Sequence, residues 1–287
     1  MLTLTFASPV RAGELQTLGG HRHAESELGL SSIARAERVP EEPMLSIPAD
    51  DVRAVAIVTA IQGGDVDALQ HNLRDSRELA VARIVDDRGV SRTLLHVVAD
   101  WPGHFPNGPS TVATLVAAGA DVNAPVIHRD PNGSPETPLH WAASSDDVDV
   151  LDALLDRGAD IEARGAVFTG GTPMSDAVLF AQWRAARRLL ERGATTTIWQ
   201  AAALGLVDRV RLLCSDLPSP PAEQITNAFW HACRGGQRDV AEYLLNSGAD
   251  PNWIGYDRKT PLDVAREGGA ADLVQWLRTN GAKDPKS

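Results

Sequence analysis

Cysteine is nearly absent from this chain. Cys214 and Cys233 are the only two and no CxxC pair exists, so neither a disulfide framework nor a four-thiolate zinc site is supported, and a reducing cytoplasm is the default location. No apolar run reaches the length of about 18 residues that a membrane span needs, and a membrane partner is not expected. The opening MLTLTFASPVRA has no basic residue ahead of its short apolar stretch, which makes it a poor secretory signal. Positive charge is scarce: 27 Lys and Arg stand against 38 Asp and Glu, for a formal net charge of -11. The basic residues are scattered, which argues against a nucleic-acid partner, because such binders cluster Lys and Arg that release counterions from phosphate. The sequence also lacks GxxxxGK followed by Ser or Thr, GxGxxG, HExxH and GxSxG, so the usual nucleotide, zinc-hydrolase and serine-hydrolase readings have no anchor and no cofactor or metal is expected. His21 and His23 in HRH have i,i+2 spacing, which shares a metal only in an extended segment with further ligands; a solvated polar cluster is the better reading.

What is present is repetition. Gly-Ala-Asp occurs at Gly119, Gly158 and Gly248, with Gly-Ala-Thr at Gly193 and Gly-Ala-Lys at Gly281. Upstream lie threonine-led turns: TLLH at Thr93, TPLH at Thr137, TPMS at Thr172 and TPLD at Thr260. His140 to Gly158, Ser175 to Gly193 and Asp263 to Gly281 are each 18 residues apart. In each unit a Thr-Pro turn opens a short helix, since Pro is tolerated in a helix's first turn where its missing N–H would be unbonded anyway. A second helix follows with an apolar stripe such as Val148, Leu151, Leu154 and Leu155, and Gly stops it where a left-handed cap is needed. One such pair is too small to close a core, so neighbours must stack into a solenoid.

TPLHWAASSDDVDVLDALLDRGADIEA and KTPLDVAREGGAADLVQWLRTNGA resemble ankyrin repeats, over about residues 53 to 283. The resemblance implies an all-α solenoid of about seven helix pairs with short β-hairpin fingers. The expected organisation is an N-terminal extension or strap over residues 1–48, a capping helix pair over 49–85, the repeat array over 86–283 and a tail over 284–287. Two units are cryptic: counting from Gly205 and Gly236 places Trp199 and Trp230 where the family pattern has its turn histidine. The array is irregular. His96 to Gly119 is 23 residues, so five are inserted in ADWPGHFPNGPST between two helices, a loop read as projecting Trp101, His104, Phe105 and Asn107. Fingers are long in the N-terminal half, where they include His128 and Phe168; after Gly193 the finger is nearly absent, and SDLPSPPAEQ replaces the next one.

Candidate site residues follow from this register. His96 and His140 occupy the turn position that bonds to neighbouring turns and are assigned to structure. The next column holds Val97, Trp141, Asp176, Gln200, His231 and Val264; Trp141 is read mainly as core, and the three polar members predict a partly solvated column or polar cleft. In SSDD, one Asp is expected to cap the second helix while Ser144 and Ser145 remain candidate rim residues, with Asp100, Trp101, Arg234, Gly235 and Glu267 at matching places. Five of seven tryptophans, Trp101, Trp141, Trp183, Trp199 and Trp230, are spread over consecutive repeats. Trp199 and Trp230, with Gln200 and His231, are expected to form an aromatic pocket in the groove. The favoured function is binding of another protein through the concave face, inter-helix loops and fingers. The alternative is a small-molecule-binding protein or enzyme lidded by the 100–109 loop, with His104, Asp100 and His231 as acid–base groups.

Overall fold

The computed structural model describes residues 45–216 and 218–284; His21 to His23 and most of the proposed extension lie outside them. Among the described residues fourteen α-helices run in antiparallel pairs: α1 (Val52–Gly63) with α2 (Val66–Asp75), α3 (Leu94–Ala99) with α4 (Gly108–Ala117), α5 (Pro138–Ser144) with α6 (Val148–Leu155), and α7 (Pro173–Leu179) with α8 (Trp183–Glu191). They continue as α9 (Ile198–Ala203) with α10 (Val207–Ser215), α11 (Ala222–Arg234) with α12 (Arg238–Asn246), and α13 (Pro261–Glu267) with α14 (Ala271–Thr279). First helices stack on first helices, α3 on α5, α5 on α7, α9 on α11 and α11 on α13, while the second helices form an outer layer of α4, α6, α8 and then α10 against α12. This is the solenoid of seven pairs that the 18-residue offset requires. No helix among the described residues is long and apolar enough to cross a membrane.

Each pair folds for local reasons. Thr93, Thr137, Thr197 and Thr260 form capping boxes with the residue three places on: His96, His140, Gln200 and Asp263. The Thr N–H donates to His96 Nδ1 at 3.2 Å and to His140 Nδ1 at 3.1 Å. Nδ1 is thus the acceptor and Nε2 carries the proton, which His96 gives to the Glu136 carbonyl at 3.0 Å and His140 to the Gly171 carbonyl at 3.3 Å. The turn histidines therefore tie each repeat to the next finger. Gln200 does the same with an amide. Its Oε1 accepts from the Thr197 N–H at 2.8 Å, and its Nε2 donates back to Ser175 Oγ at 2.9 Å.

That bond corrects the register of the fifth pair. Counting from the Gly205 turn puts Trp199 in the histidine place, whereas the cap is Thr197–Gln200, because this unit has one residue fewer between its threonine and its turn. Helix α9 is correspondingly only six residues long. Gly235 at the end of α11 fits against it: a β-carbon there would collide with the Ala203 carbonyl, so the residue has to be glycine for α11 to close on the shortened helix. The hydrophobic core divides here. One cluster runs from Ile47 to Ala203 and a second from Ala201 to Ala282, and Trp199 packs against both.

The fingers are simpler than hairpins. Strand pairing among the described residues is confined to the N-terminal end, where β1 (Ser46–Pro48) lies parallel to β2 (Arg83–Val85) and β2 antiparallel to β3 (Ser91–Thr93), plus a Ser91–Ile127 bridge. Later fingers close with one or two backbone bonds each, such as Val126 N–H to Glu136 O at 2.7 Å and Gly255 N–H to Lys259 O at 2.9 Å.

Candidate functional site

The inserted loop between α3 and α4 does not project. Its Asn107 amide donates to the Gly64 carbonyl at 2.9 Å in the preceding pair, and the His104 N–H donates to the Asp147 carboxylate at 2.6 Å in the following one. Eight residues between two helices carry backbone groups that must be bonded, and the loop bonds them by lying across its neighbours. Phe105 is half-buried and the Asp100 side chain is buried, while Trp101 (51% exposed), Pro102, the His104 ring, Pro106 and Asn107 face solvent. Asp100 faces Arg92 at 3.8 Å and accepts from the Trp101 N–H at 2.9 Å; burial nevertheless pushes its carboxyl up to about 7, against the pull of Arg92.

SSDD is likewise committed to the fold. Ser144 Oγ donates to the Trp141 carbonyl at 2.9 Å and Ser145 Oγ to the Ala99 carbonyl of the preceding pair at 3.1 Å, and both residues are buried. Asp147 caps α6 through the Val150 N–H at 3.2 Å. Asp146, in left-handed backbone at φ 56°, reaches forward to the Ala185 N–H at 2.7 Å. The expected rim pair Ser144 and Ser145 is therefore a structural stitch between three repeats, because every polar group it offers already has a partner.

Trp141 packs against the core, edge-on to His96 at 5.0 Å and under the Arg92 guanidinium at 5.6 Å. Trp183, the first residue of α8, also packs on the core. The polar column expected to be solvated is buried: Asp176, Gln200 and His231 are 0%, 3% and 2% exposed. Gln200 is spent on the cap described above. His231 sits among rings, 4.7 Å from Trp199, 5.0 Å from Trp230 and 5.6 Å from Tyr256; burial holds its pKa down to about 3, so it is neutral at physiological pH. The acid–base trio is not assembled, since His231 belongs to this ring cluster in α11 while His104 and Asp100 lie in the α3–α4 loop.

What the fold does bring together is a cleft of about 220 Å³ on the first-helix face. One wall is Phe168 from the finger before α7 with Phe180 from the end of α7, ring centres 6.2 Å apart. The other is Trp230 of α11 against Tyr256 of the last finger, edge-on at 5.2 Å. Arg234 lies between them. Its Nη1 donates to the Val178 carbonyl at 3.0 Å, and its guanidinium stands 5.9 Å from the Trp230 ring. The cleft exists because the two fingers flanking the intervening α9–α10 pair are clipped, so that side chains from α7 and α11 meet over the short α9. Trp230 and Arg234 are readable as site residues from the repeat register. Phe180, Tyr256 and Lys259 are not, although Phe180 holds the same place in its unit as Ser145 and Arg234 the same place as Ser144.

Comparison with known proteins agrees with this architecture. The family model for ankyrin repeats in three copies matches residues 195–286, and the single ankyrin-repeat model matches residues 136–166. Protein PhlB of Serratia liquefaciens is 30% identical over 205 residues, covering 71% of this chain and 76% of that protein. The chain belongs to the ankyrin-repeat family. Rabankyrin-5 of Mus musculus is 35% identical over 220 residues, 68% of this chain and 18% of that protein. The ankyrin repeat and KH domain-containing protein mask-1 of Caenorhabditis elegans is 28% identical over 183 residues, and the match spans only 7% of its length. The crystal structure of the human ASB11 ankyrin repeat domain aligns over 68% of this chain and 86% of its own, at 24% identity and a TM-score of 0.40. Ankyrin repeats are in general protein-interaction modules, and this array has the same construction.

Proposed function

We propose that this ankyrin-repeat array binds a partner protein through its first-helix face, with the Trp230–Arg234 cleft as the anchoring site and exposed Trp101 as a second contact. The observation that carries this reading is the size and lining of the cleft. At about 220 Å³ it is smaller than the roughly 300–1,000 Å³ of sites that enclose a small molecule, and it suits one large side chain presented by another chain. Its aromatic and arginine lining is the composition of interface hot spots. A broader depression of about 640 Å³ between α8 and α10 is lined by Leu190, Thr195, Thr196 and the Gly205–Arg209 turn and lacks aromatic walls.

Proximity labelling followed by direct binding of purified candidates tests the proposal. The expected result is one partner whose affinity falls about thirtyfold or more, some 2 kcal/mol, on Trp230→Ala or Arg234→Ala in chains that still unfold cooperatively. A partner whose affinity is indifferent to every first-helix-face substitution would refute it. Small-molecule turnover by the purified chain, lost on substitution of His104, would favour the enzyme reading instead.

A further inference from the structure

The fourth and fifth helix pairs meet more loosely than other neighbours in the stack. Helix α9 packs closely on α11 but thinly on α7, and α8 and α10 stand apart. The buried residues at the end of α9 are Ala201, Ala202 and Ala203, side chains too small to interlock with a neighbouring helix. The core divides at the same place: Ala203 belongs to the N-terminal cluster, Ala201 and Ala202 to the C-terminal one. Space lies on both faces of this junction, the cleft of about 220 Å³ over α9 and the depression of about 640 Å³ between α8 and α10. Polar ties are few as well. The preceding junction is clamped by Asp152, which accepts from Arg188 at 2.8 Å and from Arg192 at 2.7 Å, whereas no ion pair among the described residues joins α7–α8 to α9–α10 or to the pairs beyond. Thr195 donates to Glu162 through its N–H at 2.6 Å and its hydroxyl at 3.0 Å, and Gln200 donates to Ser175 at 2.9 Å, which fixes the entry to α9. Arg234 comes from further off. Seated beside Trp230 on α11, it reaches over α9 to the Val178 carbonyl in the last turn of α7 at 3.0 Å.

We propose that the array bends at this junction: α1–α8 and α10–α14 are two stiff arms, α9 is the pivot between them, and Arg234 is the latch that closes the joint over α9. The motion belongs to the free chain, whatever the cleft binds. Well-packed interfaces resist deformation, so movement collects where packing and polar ties are thinnest. The Phe168–Phe180 wall travels with the first arm and the Trp230–Tyr256 wall with the second, so the width of the cleft follows the angle of the joint. Loss of the Arg234–Val178 bond frees the arms on that face, while the bonds of Thr195 and Gln200 keep the pivot in place.

The test is pulsed double electron–electron resonance on the full chain, with nitroxides at exposed positions of second helices and Cys214 replaced by Ser; Cys233 is buried and escapes labelling. Arg187→Cys with Glu242→Cys spans the junction from α8 to α12, Ala117→Cys with Arg187→Cys lies within the first arm, and Ser215→Cys with Asp272→Cys lies within the second. Each label pair is separated by a single intervening helix pair, so the three are matched in span. Circular dichroism verifies that every labelled chain keeps its helices. The distance distribution across the junction should be about twofold broader than those within the arms. Arg234→Met, which keeps a stem of similar length but no N–H donor, should broaden or shift that distribution further and leave both within-arm distributions unchanged. Equal widths for all three label pairs, in wild type and in Arg234→Met alike, would overturn the proposal. Within-arm distributions as broad as the cross-junction one would mean an array loose throughout and overturn the joint. A broad cross-junction distribution that Arg234→Met leaves as it was would support the joint and overturn the latch.

Discussion

The backbone N–H of His104 meets the carboxylate of Asp147 at 2.6 Å, joining the α3–α4 loop to the N-terminus of α6 in the next repeat. The same carboxylate caps its own helix at Val150. One side chain thus satisfies two buried donors from different repeats, and its removal leaves both without a partner. Asp147→Ala should cost about 2–4 kcal/mol, the sum of a lost N-cap and an unmet backbone donor. Deleting Phe105 to Pro109 should also lower stability, since it removes Asn107 and its bond to Gly64. Urea midpoints measure both, and an unchanged midpoint in the deletion would restore the reading of the loop as a free projection.

Left-handed backbone recurs at two places in the α5–α6, α7–α8, α11–α12 and α13–α14 units, the turn between the helices and the glycine after the second one, and its occupants predict opposite effects. Gly158 has φ 88° and open space around the point where a β-carbon would stand, with nothing within 4 Å, so Gly158→Val should destabilise through backbone strain alone, by about 1–3 kcal/mol. The turn between helices is held by Gly64, Asp146, Gly205, Gly236 and Gly269, but in the α7–α8 pair by Ala181 at φ 57°. Ala181→Gly should therefore be stabilising by up to about 1 kcal/mol. Thermal midpoints that move in the same direction for both would contradict the argument.

The repeat spacing made the stack, its fingers and the five-residue insertion legible, because those follow from local turn and cap chemistry that each unit carries in its own letters. Trp230 and Arg234, which line the cleft, were legible as candidates for the same reason. The role of SSDD was not, since Ser145, Asp146 and Asp147 spend their bonds on Ala99, Ala185 and His104 in other repeats. Nor was the cleft: Phe180 and Tyr256 meet Trp230 and Arg234 only because the shortened α9 unit draws its neighbours together, and a missing residue leaves no letter to read. Gln200 falls one position out of register on the same account.

Three buried histidines should each withdraw stability from the fold in acid. Burial holds His96 and His231 down to about 3 and His140 to about 4. Each is depressed below its unfolded value of about 6.5, so the unfolded chain binds the extra protons. Their contribution is fully present above about pH 6.5 and is lost as pH falls toward 4, at up to about 1.36 kcal/mol per pH unit for each ring. Asp100, Glu136 and Asp176, raised by burial, act in the opposite sense over the same range, so the histidines are read by difference. His231→Gln should gain stability relative to wild type as pH falls from about 6.5 to 4.5, by about one ring's slope. A constant offset between the two urea profiles across that range would mean this ring is not held neutral.

Asp176 should act in the opposite sense. Neither of its buried carboxylate oxygens has a well-formed hydrogen bond, and burial, with the nearby Glu136 carboxyl adding to it and the Val167 backbone N–H only partly opposing it, holds its pKa well above the ordinary carboxylate range; Glu136 itself is raised to about 7, chiefly by burial. A carboxyl raised in the folded state keeps its proton there after the unfolded chain has lost its own. Its contribution is complete below about pH 4 and disappears as pH rises through the folded values, near 7 and above. The same column holds Val97 and Val264 in other pairs, both buried, so Asp176→Val replaces a poorly bonded acid with the residue its neighbours use. The variant should be more stable than wild type by about 1–3 kcal/mol at about pH 8. The difference should shrink at about pH 5, where the acid is protonated and the histidine contribution is common to both chains. Equal midpoints at the higher pH would show that the Asp176 carboxylate is stabilised by solvent after all, and a variant less stable at both would give Asp176 a packing role that valine cannot fill.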